Sequence, residues 1–452
     1  MSTAIRSYVR SLGLDAYAVG GAVRDELLGI PHSDEDFLVP GVDHAGLRAA
    51  LEPHGRVEDM EVHGQLVGVR FHPRDPAVSA LVPSGIELTP PRIERSTGPG
   101  HHDFEIVADR TATVEDDMRR RDFTVNAIAR RLETDELVDP FGGVADLERR
   151  LLRTVGEESF REDPLRILRG LRLLSQLEFA LAPETLSQMR AGARGLRHVS
   201  AERIGGGIAV DGMGELSKLL LGARPAEALR LARDTGALVE VIPELEPAIG
   251  YVDGSPRQPL TLDEHLFAVV QAAADAGDDL PVRLAALLHD VAKPDADGTS
   301  HATAGAATAG RILRRLRYPN ALRVAVVRLV AAHDFRLDGS VDAAAARRFL
   351  ASHGLELARE LVHLKRADLS VKDVPPEERA ALELLARDLE AERDSPHRLS
   401  DLAVDGTDLL ELGFEEGPAL GAALARLLDD VLDEPGLNER ETLLELSREL
   451  LG

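Results

Sequence analysis

Hydrophobic positions change their period once along the chain. Over residues 1–130, short apolar runs alternate with turn residues. Ala16–Val19, Asp36–Pro40, Leu66–Phe71 and Gly85–Leu88 read as strands, and Ala22–Leu28 reads as a helix following the pair Gly20-Gly21. From Glu148 onward, apolar residues recur at i, i+3, i+4 and i+7 in long Leu/Ala/Arg/Glu segments, the helical period. The expected fold is therefore α+β, a small head of mixed sheet and helices on a long α-helical neck, body and tail. Two stretches rich in turn residues, Tyr251–Leu262 and Asp394–Ser400, read as linkers. They suggest units at 1–130, 131–250, 260–393 and 396–452, and no repeat of 20–50 residues is present.

Composition narrows the chemistry. With 452 residues the chain has room for several cores, and its lack of cysteine excludes disulfides, zinc–thiolate sites and thiol nucleophiles. Met1 to Leu12 has no apolar signal-peptide core, and no stretch reaches the roughly 18 apolar residues of a membrane span. A cytoplasmic protein with no membrane partner is expected, and nothing in the sequence sets an oligomeric state. The 78 acidic against 53 basic residues give a net charge of −25, which at first argues against a polyanionic partner. The basic set is uneven as well: Lys218, Lys293, Lys365 and Lys372 are its lysines and the other 49 are arginines. Genome bias and salt adaptation both produce such a profile.

The head carries the first chemistry. Gly20-Gly21-Ala22-Val23-Arg24-Asp25 joins a strand to a helix, where glycine lets the backbone approach a phosphate and helical N–H groups face an anion. Alone, such a pair is more often a turn than a phosphate site. Ser33-Asp34-Glu35-Asp36-Phe37 follows, and on an extended strand Asp34 and Asp36 share a face while Glu35 takes the other. Carboxylates held so close suit a hard divalent ion such as Mg²⁺, which takes carboxylate oxygens together with substrate phosphates. A solvated acidic turn is the plain alternative for an isolated Asp-x-Asp. In the neck, Asp163 and Pro164 read as the N-cap and first residue of a helix containing Arg166 and Arg169.

These elements together resemble the polymerase-beta-like nucleotidyltransferases, specifically the bacterial tRNA CCA-adding enzymes and poly(A) polymerases. The resemblance rests on Gly-Gly-x-Val-Arg-Asp, then Asp-x-Asp, then Arg120-Arg121-Asp122-Phe123-Thr124-Val125-Asn126-Ala127. It implies template-independent addition of CCA, at least the terminal A, to tRNA from CTP and ATP. It implies Mg²⁺ at Asp34 and Asp36, with Glu87 as a third carboxylate. Gly20, Gly21 and Arg24 would cradle phosphates, and Arg121, Asp122, Asn126 and Arg169 would hold the nucleotide.

Asp163 and Arg166, in Glu-Asp-x-x-Arg, would read the base. A carboxylate accepts and a guanidinium donates hydrogen bonds, which matches the amine and ring nitrogen of cytosine and adenine but not uracil or guanine. The polar stretch Arg95–Phe104 corresponds to a loop that A-adding relatives keep. An A-adding enzyme and a poly(A) polymerase are the neighbouring readings. Ser200-Ala201-Glu202-Arg203-Ile204 also fits, but Gly205-Gly206-Gly207 should interrupt the body helix there.

A second set of residues lies downstream. His265, His289-Asp290, His301, His333-Asp334 and Asp368 fall in helical segments, and His289-Asp290 ends an apolar one. The set resembles the HD-domain metal phosphohydrolases, with His265, His289, Asp290, His301, His333 and Asp368 as the implied ligands. Imidazole with carboxylate suits Ni²⁺, Mn²⁺ or Zn²⁺. The implied activity is phosphodiester or phosphomonoester hydrolysis in RNA-end repair. A degenerate HD scaffold, or an HD hydrolase whose head only binds RNA, are the alternatives.

Charge distribution then alters the first impression from net charge. Residues 401–452 hold 14 acids against three arginines, whereas Arg311–Arg328 holds six arginines and no acid. Phosphate affinity follows local patches, so arginine-lined helices of the neck and body are the expected tRNA contacts.

Overall fold

The computed structural model describes the chain except residues 1, 32–34, 63–64, 97–103, 109–110, 207–211, 296–299, 338–340 and 452. Its residues form two compact units, Met1–Pro243 and Glu244–Gly452.

The first unit contains β1 (Tyr17–Val19), β2 (Asp36–Leu38), β3 (Gly55–Val62), β4 (Gln65–Pro73), β5 (Ile86–Thr89), β6 (Arg92–Ser96), β7 (Phe104–Ala108), β8 (Ala129–Arg131) and β9 (Leu137–Val138). Among the described residues, seven of these make one sheet in the order β3-β4-β5-β2-β1-β8-β9, and β6 and β7 form a separate antiparallel pair. The pairing of β2 with β5 is parallel, and the other neighbours in the large sheet are antiparallel. Ala18, Phe37, Val69, Phe71 and Leu88 are fully buried along it.

The four strands read from apolar runs all appear in this sheet. β3 was not legible in that way, because Glu58, Asp59 and Glu61 interrupt its apolar positions. It lies at the sheet's edge, where charge discourages further pairing. The sheet extends to Val138, so the head runs past the boundary expected at residue 130.

In the neck, the helix Leu165–Leu177 buries Leu165, Leu168, Leu171 and Leu174, one face of a 3.6-residue period. The helix Ala201–Ile204 stops at Gly205, the first of the three glycines, and the next helix among the described residues begins at Glu215. Gly207 itself lies outside the described residues.

The second unit is helical among its described residues. Tyr251–Leu262, expected as a linker, is instead folded into this unit. The Leu262 amide donates to the Tyr251 carbonyl at 2.8 Å, and the Asp373 amide donates to the Arg257 carbonyl at 2.9 Å. Gly, Pro and Ser there make a tight turn rather than a tether. Asp394–Ser400 is likewise held, with His397 buried and its Nδ1 2.7 Å from the Ser395 carbonyl. Leu409, Leu427, Val431 and Leu443 form an apolar cluster of the tail. No helix among the described residues is long and apolar enough to cross a membrane.

Candidate functional sites

Register places the head carboxylates. Asp36 on β2 lies opposite Val19 of β1 on one side and Glu87 of β5 on the other, and Glu87 lies opposite Arg70 of β4. In-register neighbours project from the same face of a sheet, so Asp36 and Glu87 stand side by side. Gly20 follows Val19 directly, which brings the glycine turn to the same row. Asp36 is exposed, while Glu35 is buried and accepts from Arg6 Nε at 3.0 Å, the alternation expected of a strand. Glu87 Oε1 accepts from Arg70 Nη2 at 2.5 Å, which leaves its other oxygen for a ligand. Two adjacent carboxylates, one of them open to solvent, fit a divalent ion. Asp34 lies outside the described residues.

Behind this row, the Arg-Arg-Asp motif is tied into one network. Gly20 has φ +75°, and a Cβ there would stand 2.7 Å from Arg121 Nη1, so glycine permits both the turn and the approach of the guanidinium. Arg24 Nη1 donates to Asn126 Oδ1 at 2.7 Å, and Asn126 Nδ2 donates to Asp122 Oδ1 at 2.9 Å. Asp122 Oδ2 accepts from Arg169 Nε at 2.8 Å, and its Oδ1 also accepts from the Phe123 amide. Burial would push the Asp122 carboxyl up, but Arg169 and the Asn126 bond outweigh it and hold the group well below the carboxylate range. Asp122 thus orients Arg169 and Asn126 with both oxygens occupied.

Sequence reading missed Asp117. Its carboxylate is wholly buried, with Oδ1 accepting from Arg120 Nη2 at 2.6 Å and Oδ2 from Arg121 Nη2 at 3.1 Å. The available signal was its spacing, three and four residues before the two arginines on a helical turn. Arg70 was missed because it lies on a strand recognised only by its apolar face.

In the neck, the helix Leu165–Leu177 takes Pro164 as its N-cap, one residue later than expected, and Asp163 just before it accepts from the Leu165 amide at 3.0 Å through Oδ1. Its Oδ2 accepts from Arg203 Nη2 at 2.8 Å. Arg166 Nη2 donates to the Arg120 carbonyl at 2.6 Å, and Nη1 reaches the Ser159 carbonyl at 3.2 Å. Both groups intended for base reading are therefore engaged by the chain in this conformation, and Arg166 anchors the neck helix to the Arg-Arg-Asp motif.

In the second unit, all six expected residues converge. His265 comes from the helix Leu262–Asp275 and Asp368 from Leu355–Ser370. His289 and His333 cap the C-terminal ends of Leu280–Leu288 and Asn320–Ala332, and His301 opens His301–Arg315. They make two adjacent sets, His265/His289/Asp368 and Asp290/His301/His333, each with its ligand atoms within 4.8 Å of one another.

Asp290 lies between the sets: Oδ2 is 3.4 Å from His289 Nε2, and Oδ1 is 3.4 Å from both His301 and His333 Nε2. His289 and His333 direct Nδ1 to the Ala286 and Val330 carbonyls at 2.9 and 2.7 Å, which turns Nε2 toward the cluster. Asp290 Oδ1 is buried and faces the His301 and His333 imidazoles at 3.4 Å, while Asp368 Oδ1 lies 3.2 Å from His265 Nε2 and 2.8 Å from Lys372 Nζ, so both carboxylates are turned into the cluster. Burial would raise Asp290, but the charge and bond of His289 and the His333 bond hold it well below its ordinary range. Burial likewise opposes ionisation of Asp368, and the His265 bond with the Lys372 charge reverses it. Burial pushes the His265 imidazole down toward its neutral form, the form that ligates. The donor set fits a borderline transition metal.

A mixed-sheet head with paired carboxylates on a helical body is the architecture of a nucleotidyltransferase. The family described as "Poly A polymerase head domain" matches residues 16–153. "Probable RNA and SrmB- binding site of polymerase A" matches residues 178–249, and "tRNA nucleotidyltransferase domain 2 putative" matches residues 300–447. The chain is 37% identical over 355 residues to the multifunctional CCA protein of Ralstonia nicotianae, covering 75% of this chain and 76% of that protein. It is 36% identical over 336 residues to the multifunctional CCA protein of Azoarcus sp., covering 72% and 75%.

Among solved structures it superimposes on the Bacillus stearothermophilus CCA-adding enzyme in complex with CTP, with a TM-score of 0.70 and 27% identity over 99% of this chain and 96% of that one. The Thermotoga maritima CCA-adding enzyme, solved in complex with tRNA, shares the fold at a TM-score of 0.59 and 20% identity, over 99% and 95%. The chain belongs to the CCA-adding enzyme and poly(A) polymerase family.

Proposed function

We propose that the head adds C, C and A to the 3′ end of tRNA from CTP and ATP without a nucleic-acid template. The row that sets Asp36, Glu87 and the glycine turn side by side carries this reading most directly, and the multifunctional CCA proteins support it by their similarity. Asp36 and Glu87, with Asp34, would hold Mg²⁺, which when bound supplies charge neutralisation for attack of a 3′-hydroxyl on an α-phosphorus and departure of pyrophosphate. Gly20, Gly21 and Arg24 receive the triphosphate, and the Asp122 network keeps Arg24, Asn126 and Arg169 aligned. Asp163 accepts from the exocyclic amine of cytosine or adenine and Arg166 donates to the adjacent ring nitrogen, once released from Arg203 and the Arg120 carbonyl.

The test is incubation with tRNA ending before CCA, with CTP and ATP separately and together. Two nucleotides added with CTP alone and three with both are expected, and Asp36→Ala should abolish addition while tRNA binding survives. Addition of A only, or of a long A tract, would replace this reading by an A-adding enzyme or a poly(A) polymerase. Measurable addition by Asp36→Ala would overturn the metal assignment.

The His/Asp cluster favours a second activity on the same chain, metal-dependent hydrolysis of a phosphoester, in keeping with RNA-end repair. The convergence of Asp290 and Asp368 with four imidazoles in two sets of ligand-type atoms supports it. With Ni²⁺ or Mn²⁺ supplied, release of phosphate from a nucleotide phosphoester is expected and His289→Ala should abolish it; release that survives His289→Ala would remove the cluster from the reaction.

A further inference from the structure

A cavity of about 190 Å³ adjoins the His/Asp cluster, below the roughly 300–1,000 Å³ of pockets that enclose a whole small molecule and so sized for part of a ligand. Three of the chain's four lysines line it: Lys293, Lys365 and Lys372. In a chain that uses arginine at 49 of 53 basic positions, composition alone would put arginine there. Lysine differs from arginine as a compact point charge with three rotatable donors, suited to phosphoryl oxygens that also face a metal. Lys293 Nζ is 3.0 Å from Asp290 Oδ2, and Lys372 Nζ is 2.8 Å from Asp368 Oδ1, so both are tied to the cluster's own carboxylates. Lys365 differs. Its ammonium lies over the Phe335 ring, 5.2 Å from the centroid, with no carboxylate within ion-pair distance among the described residues.

Gln258 lines the same cavity. It is only 6% exposed, yet neither Oε1 nor Nε2 has a hydrogen-bond partner. A buried amide without partners costs free energy, so such a group is expected to serve a ligand. Its backbone is fixed by the turn that sequence reading took for a linker: the Gln258 amide donates to the Ser255 carbonyl at 3.0 Å.

We propose that Lys365 and Gln258 form a recognition pair in this cavity for a nucleotide phosphate ester, the lysine meeting the phosphate and the amide meeting a hydroxyl or base edge of the same nucleotide. The proposal rests on the phosphohydrolase reading of the cluster and deepens it by naming what selects the substrate. A bare phosphate satisfies only the lysine. A nucleotide satisfies both, because an amide offers a donor and an acceptor side by side.

Calorimetric titration of the full chain with Mn²⁺ tests this, with 3′-AMP, inorganic phosphate and an RNA oligonucleotide ending in a 3′-phosphate as probes. Gln258→Met should weaken 3′-AMP binding about tenfold, the equivalent of one lost hydrogen bond to a buried group, and leave inorganic phosphate unchanged. Lys365→Met should weaken both. Gln258→Met should also raise the thermal midpoint of the ligand-free protein, since it removes an unsatisfied amide, whereas a lowered midpoint would reveal a structural role and overturn the pair. Gln258→Asn, which keeps the amide but withdraws it by one methylene, should lose 3′-AMP selectivity without that gain. Equal loss of both ligands in Gln258→Met, or loss of neither, overturns the proposal.

If the oligonucleotide binds and responds to Gln258→Met, the natural source is an RNA end; if only 3′-AMP does, it is a free nucleotide, and either supports the pair. Hydrolysis of p-nitrophenyl phosphate with Mn²⁺ separates the two levels. Its absence overturns the phosphohydrolase reading, while the binding selectivity still decides the pair.

Discussion

Asp122 shows how one buried carboxylate ties a motif together. Its two oxygens are shared among Asn126, the Phe123 amide and Arg169, so its charge is matched inside the protein. Asp122→Asn would leave Arg169 without its main partner, and loss of about 3 kcal/mol is expected for a broken buried pair. Because the folded carboxyl is held below its unfolded value, the stabilisation is fully present above the ordinary aspartate range. It is lost as pH falls through that range toward the folded value. Denaturant midpoints of wild type and Asp122→Asn should therefore keep their full gap from neutrality down to about pH 4 and narrow progressively below it; a constant gap below pH 4 would show that charge is not the cause. The motif's position was legible in sequence, but its role was not: Arg-Arg-Asp names the residues, while only Asn126 and Arg169 reveal where Asp122 points. Asp117 was invisible for the same reason, since an acidic residue early in a helix already suits its N-terminus.

At the scale of elements, the helix Gly143–Glu148 packs onto the turn Thr124–Asn126 of that motif. A Cβ at Gly143 would come within 2.2 Å of the Thr124 carbonyl oxygen and 2.8 Å of an Ile128 side-chain carbon. A backbone carbonyl cannot swing aside, so the turn itself must move. Gly143→Ala should cost about 2 kcal/mol as an overpacking change, well above the helix-propensity gain at a first-turn position. It should slow nucleotide addition as well, because Asn126 would shift from Arg24 and Asp122. Gly156→Ala, with open space around its Cβ, is the matching control and should change neither. Urea midpoints and single-nucleotide addition rates read both outcomes. Strand and helix periods identified most of the large elements, yet they do not report such close approaches, which depend on the partner element.

Over the whole molecule, the expectation of a mixed-sheet head followed by helices was met, because the change of hydrophobic period is a global feature. The linker reading failed at Tyr251–Leu262, where turn residues serve a folded cavity wall. Composition marks loops but not whether a loop is free. Paired charges explain part of the electrostatic picture: arginines engage acids throughout, as in Arg359 with Glu390 and Arg366 with Glu383. Exposed pairs of this kind add little to stability individually. The surplus of −25 therefore acts mainly through solubility and long-range repulsion.

The concentration of lysine in one cavity has a spectroscopic consequence. Reductive methylation with isotopically labelled formaldehyde marks ε-amines and leaves guanidinium groups untouched. In this chain it would label, besides the α-amine, four lysines, three of which line the cavity beside the His/Asp cluster. The methyl resonances would then amount to a native reporter of the cavity, and a paramagnetic ion bound there would broaden those three signals.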